Sequence, residues 1–272
     1  MTNSQRLHAI YRIFRKLILK PSSVFLVLKD ETEYQSYLQK KYGKTQLPTV
    51  DINNFLQNGT AEVNHFTFLD GSSLLTDLAL LKSVAASFKN CDYMEIGTWR
   101  GESILNVSDT GANCTSINLS PEDIIAMGLD EKYAHLHGCL ITDKTKIKSV
   151  YANSLTFDFS TLNQKYDLIF VDGDHTYEAV KSDSGKVFEL LKDENSMIIW
   201  HDYGYNPETP RHSVIAAILD GLPASAHQHV YHVSNTICAV YTRRKMNSVI
   251  LESPVKPDKV FSVQLKNIPF EL

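Results

Sequence analysis

CDYMEIGTWRGES occupies residues 91–103, and its reading decides the fold. CDYMEIG (91–97) is an apolar run that reads as a buried strand, and GESILNVSD (101–109) opens a helix directly after a turn bounded by Gly97 and Gly101. The same alternation continues downstream. CTSINLS (114–120) reads as a strand and PEDIIAMGL as a helix, with Ser120 as N-cap and Pro121 in its first turn. IKSVYANS (147–154) and YDLIFVDGD (166–174) read as strands, YEAVKSDSGKVFELLK (177–192) as a helix, and SMIIWHD (196–202) as another buried strand. Strands that are apolar throughout and separated by helices need both faces of a parallel sheet covered.

The expected fold is therefore α/β, with a doubly wound, mostly parallel sheet of Rossmann-like type. Upstream, SSLLTDLALLKSVAASF (72–88) reads as a helix capped by Ser72 or Ser73. Downstream, RHSVIAAILDGL (211–222) is an amphipathic helix, and HVYHV and TICAVYTRR, joined at Ser234-Asn235, suggest an antiparallel edge hairpin. At the N-terminus QRLHAIYRIFRKLILK (5–20) spaces Leu7, Ile10, Phe14, Leu17 and Ile18 as one helical stripe among basic residues, ended by Pro21. Such a helix suits packing or self-association in a homo-oligomer, or contact with a membrane surface. The organisation predicted is an N-terminal helix and extension (1–66), a main domain (67–245) and a tail (246–272) containing the strand-like VFSVQL (260–265).

Composition narrows the function classes. With 43% hydrophobic and 21% charged residues and a mean hydropathy of -0.19, the chain has an ordinary globular balance. A net charge of -4 leaves no basic footprint for nucleic acid. Four scattered cysteines without CxxC spacing point to a reduced, cytoplasmic setting. No apolar run reaches the roughly 18 residues that span a bilayer.

In an open α/β sheet ligands sit outside the carboxyl ends of the strands, so the loops there carry the chemistry. Gly97 and Gly101 let backbone approach a ligand, and Glu95 places a carboxylate that suits an ammonium or hydroxyl and repels a pyrophosphate. This E-x-G-x-x-x-G pattern differs from the G-x-G-x-x-G of dinucleotide sites. Asn118 stands where a ribose-binding acid is usual, with Glu122 nearby, and Asn153 and Ser154 end the third strand. FVDGDHTYE (170–178) and IIWHDYG (198–204) send Asp172, Asp174, His175, His201 and Asp202 to one rim, where Asp174 also suits a helix cap. Trp99, Tyr177, Tyr203 and Tyr205 share these loops and suit an apolar wall. His227, His229 and His232 alternate along a strand away from the rim and read as surface histidines.

EIGTWRGES (95–103) resembles motif I of the class I S-adenosylmethionine-dependent methyltransferases. VDGDHTYE followed by a strand ending HDY is similar to their small-molecule O-methyltransferase branch, which includes macrolide-sugar methyltransferases and cephalosporin-hydroxylase-like proteins. The resemblance covers roughly residues 70–245. It implies S-adenosylmethionine as cofactor, held by Glu95, Gly97, Thr98, Gly101, Ser103, Asn118, Asn153, Ser154 and Asp172. The acceptor implied is a sugar or other small hydroxylated metabolite. The resemblance further implies Mg²⁺ or another divalent metal at Asp172, His201 and Asp202, although His201 stands where an oxygen ligand is usual and Mg²⁺ prefers oxygen. Catalysis is expected from Asp172 with either His175 or His201 taking the acceptor's proton, histidine titrating nearest neutrality. The alternatives are a methyltransferase-like binding protein or scaffold without activity, and a Rossmann-type NAD(P) oxidoreductase.

Overall fold

The computed structural model describes residues 31–143, 145 and 147–269, so the basic helix expected at 5–20 lies outside the described residues. The chain divides into two units, residues 1–45 and 46–272. In the first, helix α1 (Glu31–Tyr42) has Glu31 and Glu33 in its first turn and Lys40 and Lys41 in its last, the charge order that complements the helix dipole.

The second unit is built on one nine-stranded sheet. Its strands are β1 (Thr49–Val50), β2 (Asp92–Ile96), β3 (Asn113–Asn118), β4 (Ile147–Tyr151), β5 (Leu168–Val171), β6 (Met197–Trp200), β9 (Val230–Val233), β10 (Ala239–Tyr241) and β11 (Ser248–Val249). A separate two-stranded ribbon joins β7 (Gly204–Asn206) to β8 (Thr209–Pro210). The helices are α2 (Leu75–Ala86), α3 (Glu102–Ser108), α4 (Pro121–Ala126), α5 (Glu131–Ala134), α6 (Tyr177–Phe188) and α7 (His212–Gly221).

Strand order is β11-β1-β9-β10-β6-β5-β2-β3-β4, and the run from β6 to β4 is parallel. The mixed, mostly parallel α/β sheet expected from the sequence is thus present. The antiparallel β9–β10 pair is present too, but β1 and β11 extend the sheet beyond it, so the pair is interior. Strand order reverses at β2, which lies between β5 and β3 and so opens a crevice at its carboxyl end.

Alternation along each strand assigns the two faces. Tyr93, Phe170, Ile199 and Val240 join one buried cluster with Leu81 and Val84 of α2 and Ile104 and Val107 of α3. Trp200 points to the opposite face, where its indole N–H donates to Ser184 of α6 (2.9 Å). Gly221 of α7 packs so closely on α6 that a Cβ there would lie 2.4 Å from the Lys181 carbonyl oxygen.

Three local readings are corrected. Helix α2 is capped at Leu74, not at Ser72 or Ser73, because Ser72 hydrogen-bonds Glu102 while Asp77 accepts the Leu74 N–H (2.8 Å). VFSVQL forms no strand, being exposed chain, since β11 already takes the free edge of β1. His232 is buried, not a surface residue: it stacks on Tyr203 at 4.6 Å and is 3.0 Å from the Thr49 hydroxyl. Burial lowers its pKa to about 4. Among the described residues no helix is long and apolar enough to cross a membrane.

Candidate active site

Three strand ends stand side by side at the crevice. Ile96, Val171 and Trp200 are in register, and the ladder continues one residue further through Asp172 N–H to Ile96 carbonyl (2.8 Å) and His201 N–H to Val171 carbonyl (3.0 Å). Gly97, Asp172 and His201 are therefore neighbours by sheet geometry. Gly97 has φ 87°, and a Cβ there would lie 2.1 Å from the Asp172 carbonyl oxygen. Only glycine lets the two loops meet.

Beneath this turn Glu95 is fully buried and accepts hydrogen bonds from Thr98 (2.6 Å), Tyr93 (2.8 Å) and Ser103 (2.9 Å). Its carboxylate thus braces the loop from inside. Burial raises its pKa to about 7 against the lowering effect of those three donors. Between pH 4.5 and about 7 the unfolded chain ionises Glu95 while the native state holds the proton, so stability falls as pH rises. The fall amounts to on the order of 3 kcal/mol. We expect Glu95→Gln to flatten the dependence of Tm on pH across that window; an unchanged slope in thermal denaturation would refute this origin.

The remaining residues of the predicted cofactor loop are also placed. Gly101 (φ 102°) packs on Ile141, where a Cβ would come within 2.9 Å. Asn118 lies against the Thr98 backbone and 3.2 Å from His137 Nδ1. Glu122 is exposed in the first turn of α4. Asn153 caps the Leu155 N–H (3.0 Å), and Ser154 donates to Asp183 (3.1 Å), whose burial raises its pKa to about 6. Trp99 packs tilted against Tyr133 and edge-on against His137, and both Trp99 Nε1 and His137 Nε2 are buried without a hydrogen-bond partner. Two orphaned ring nitrogens beside the glycine turn suit a polar ligand that reaches them.

The acid and histidine residues converge. His201 Nδ1 is 3.1 Å from Asp172 and 3.3 Å from Asp202, while its Nε2 is 3.3 Å from Asp77. Burial works against a charge on this ring, but Asp172, then Asp202 and Asp77, raise its pKa well above 6.5. His201 is held as a cation with both nitrogens engaged. His175 is more accessible, with Nδ1 3.0 Å from Asp202. Burial opposes its charge as well, yet the hydrogen bond and charge of Asp202 raise its pKa above 6.5. Burial alone would raise Asp202, but the two histidines hold it well below the usual carboxylate range.

Asp172, His175 and Asp202 each offer a ligand atom, all within 4.8 Å of one another. A nitrogen donor from His175 thus joins the two acids, whereas His201 faces three carboxylates. Asp174 is not the cap of α6, whose N-cap is Thr176; it accepts the Thr176 N–H (2.9 Å) in the turn before the helix and stays exposed. The expected aromatic wall is dispersed: Tyr203 is buried against His232, Tyr177 donates to Asp220, and Tyr205 lies under Arg211.

Sequence reading missed Asp77, a buried carboxylate on α2 that also accepts the Ile237 N–H (3.0 Å). It missed Arg211 beside Asp202 and Glu102 under the loop before α2 as well. The available signal for Asp77 was a lone acid among LTDLALL, which reads equally as an ordinary first-turn carboxylate.

Residues 94–203, from within β2 to just past the acid–histidine cluster, match a family model for a methyltransferase domain. No curated protein matches the chain in sequence. Among solved structures, SAH-bound methyltransferase PaMTH1 of Podospora anserina is 16% identical over 79% of this chain and 88% of that one, with a TM-score of 0.43. Cofactor-bound Rv0187 from MTB is 14% identical over 65% and 84%, with a TM-score of 0.44. The CcbJ methyltransferase from Streptomyces caelestis is 13% identical over 47% and 49%, with a TM-score of 0.32, so the chain spans about half its length.

Proposed function

We propose that the chain is an S-adenosylmethionine-dependent methyltransferase acting on a hydroxyl of a sugar or other small hydroxylated metabolite, with His175 as general base. The observation that carries this reading is the contact of Gly97 with Asp172, which joins the glycine turn and the acid–histidine rim into one site. The match of residues 94–203 to a methyltransferase domain supports the same reading.

Bound S-adenosylmethionine would supply an electrophilic methyl group on a sulfonium. The orphaned Trp99 and His137 nitrogens, with Asn118, fit its polar groups at the glycine turn. His175, its Nδ1 held by Asp202, would take the proton of the acceptor hydroxyl at Nε2. Asp202 orients the His175 ring and stabilises the imidazolium that results. His201 balances the charge of Asp172, Asp202 and Asp77 and keeps the rim rigid.

A second reading rests on the 4.8 Å grouping of Asp172, His175 and Asp202, which fits a divalent cation of mixed nitrogen and oxygen preference. Such a cation would lower the pKa of the acceptor hydroxyl. Isothermal titration with S-adenosylhomocysteine tests the cofactor assignment: saturable binding is expected, and its absence would remove the methyltransferase reading in both forms.

A further inference from the structure

Past β11 the chain carries a run of apolar side chains out into water. Up to Lys259 it is tied to the second unit at three points. The Leu251 carbonyl accepts from Gln46 (3.0 Å), the Val255 N–H donates to Glu208 (3.3 Å) and Lys259 pairs with Asp51 (3.2 Å). Beyond that anchor Val260 is 94% exposed, Val263 59% and Leu265 69%, in backbone that is neither helix nor strand. Contiguous apolar surface of this kind marks a contact with another molecule.

The sequence of this arm has the period of a strand. In VFSVQLK (260–266) Phe261, Val263 and Leu265 alternate with Ser262, Gln264 and Lys266, so an extended backbone puts the three apolar residues on one face. A strand needs an edge to pair with, because its N–H and C=O groups point sideways. β1 offers none, since β11 and β9 hold its two sides. The outer strands of the sheet are β11, with two residues, and β4, with five. β4 pairs with β3 on one side only, and its Lys148, Ser149 and Tyr151 are exposed.

The arm cannot reach β4 of its own chain. Asp51 directly follows β1, and seven strand spacings of about 4.8 Å separate β1 from β4, about 34 Å in all. Phe261 lies two residues past the Lys259 anchor, a span of about 7 Å. One molecule thus carries an unpaired strand-forming segment and an unpaired five-residue edge that cannot meet. A second copy presents the same edge free of that limit.

We propose that residues 261–265 of one copy add as a further strand to β4 of a second copy, so that the chain self-associates through its C-terminal arm. Main-chain hydrogen bonds along β4 supply the affinity, and the arm's apolar face lies on the side of the sheet that carries Tyr151. The proposal is independent of the methyltransferase reading. The test is sedimentation equilibrium of the full chain over a range of concentrations, for the wild type, Val263→Pro and Val263→Lys. Wild-type mass should rise with concentration from one chain to two or more. Association should weaken about tenfold or more in both variants, because proline removes a ladder donor and lysine breaks the apolar face. Both substitutions fall in exposed chain and leave the fold intact. Replacing Phe261 by p-benzoylphenylalanine then locates the contact: irradiation should crosslink it to residues 147–155 of a second chain. A mass of one chain at every concentration, variants that associate as tightly as the wild type, or a crosslink to any other segment would each overturn the proposal.

Discussion

Replacing His175 by glutamine is expected to lower kcat for methyl transfer by about 10²- to 10⁴-fold, the range a positioned general base supplies. Affinity for S-adenosylhomocysteine should be unchanged, because His175 pairs with Asp202 and not with the glycine turn. The pH profile carries the sign. His175 must be neutral to accept a proton, and Asp202 raises its pKa above 6.5, so the wild-type rate climbs as pH rises through that elevated value and then levels. The climb should vanish in His175→Gln and move to lower pH in Asp202→Asn, which removes the charge that raises it. Chelation separates the two forms of the mechanism. A rate unaffected by exhaustive EDTA treatment supports His175 as base, whereas loss on EDTA and recovery with Mn²⁺ supports a cation at Asp172, His175 and Asp202. Full activity in His175→Gln would defeat both.

The second large effect is expected from Gly97→Ala. A methyl group there meets the Asp172 carbonyl oxygen at 2.1 Å, and backbone atoms cannot move aside as a flexible side chain can. Left-handed backbone costs an alanine about 1–2 kcal/mol, and overpacking adds about 1–3 kcal/mol. Together the loss is on the order of 2–5 kcal/mol, and it falls on the joint between the glycine turn and the rim. Binding of S-adenosylhomocysteine and turnover should be lost together. Gly111→Ala is the matched control: its φ is 83°, but a Cβ there meets nothing within 4 Å. It should cost only the backbone strain and leave S-adenosylhomocysteine binding intact. Equal losses of binding in the two variants, measured by calorimetry, would show that strain and not the Asp172 contact controls the site.

Much of the site follows from these strand ends alone. An apolar run exits the sheet at a fixed point, so the residues after EIG, FV and IIW reach one rim whatever surrounds them. The roles within that rim are less legible. His175 and His201 look alike in sequence, each beside an acid, yet one is half-exposed with a single carboxylate and the other faces three. Ser72 and Ser73 look like helix caps, but Ser72 belongs to the Glu102 network that holds the loop before α2. His232 looks like one of three alternating surface histidines until β1 is seen paired beside it.

The sequence by itself determined the strand–helix alternation, the mostly parallel sheet and the meeting of Asp172, His175, His201 and Asp202, because hydrophobic period and glycine placement are local properties. Only the tertiary structure decided which histidine is enclosed as a cation. That depends on Asp77, 124 positions from His201 in the chain, reaching it across the top of the sheet. It also decided that Glu95 braces the glycine turn from within and that Glu102 ties down the loop before α2, since both depend on hydrogen bonds between segments whose approach no local pattern encodes.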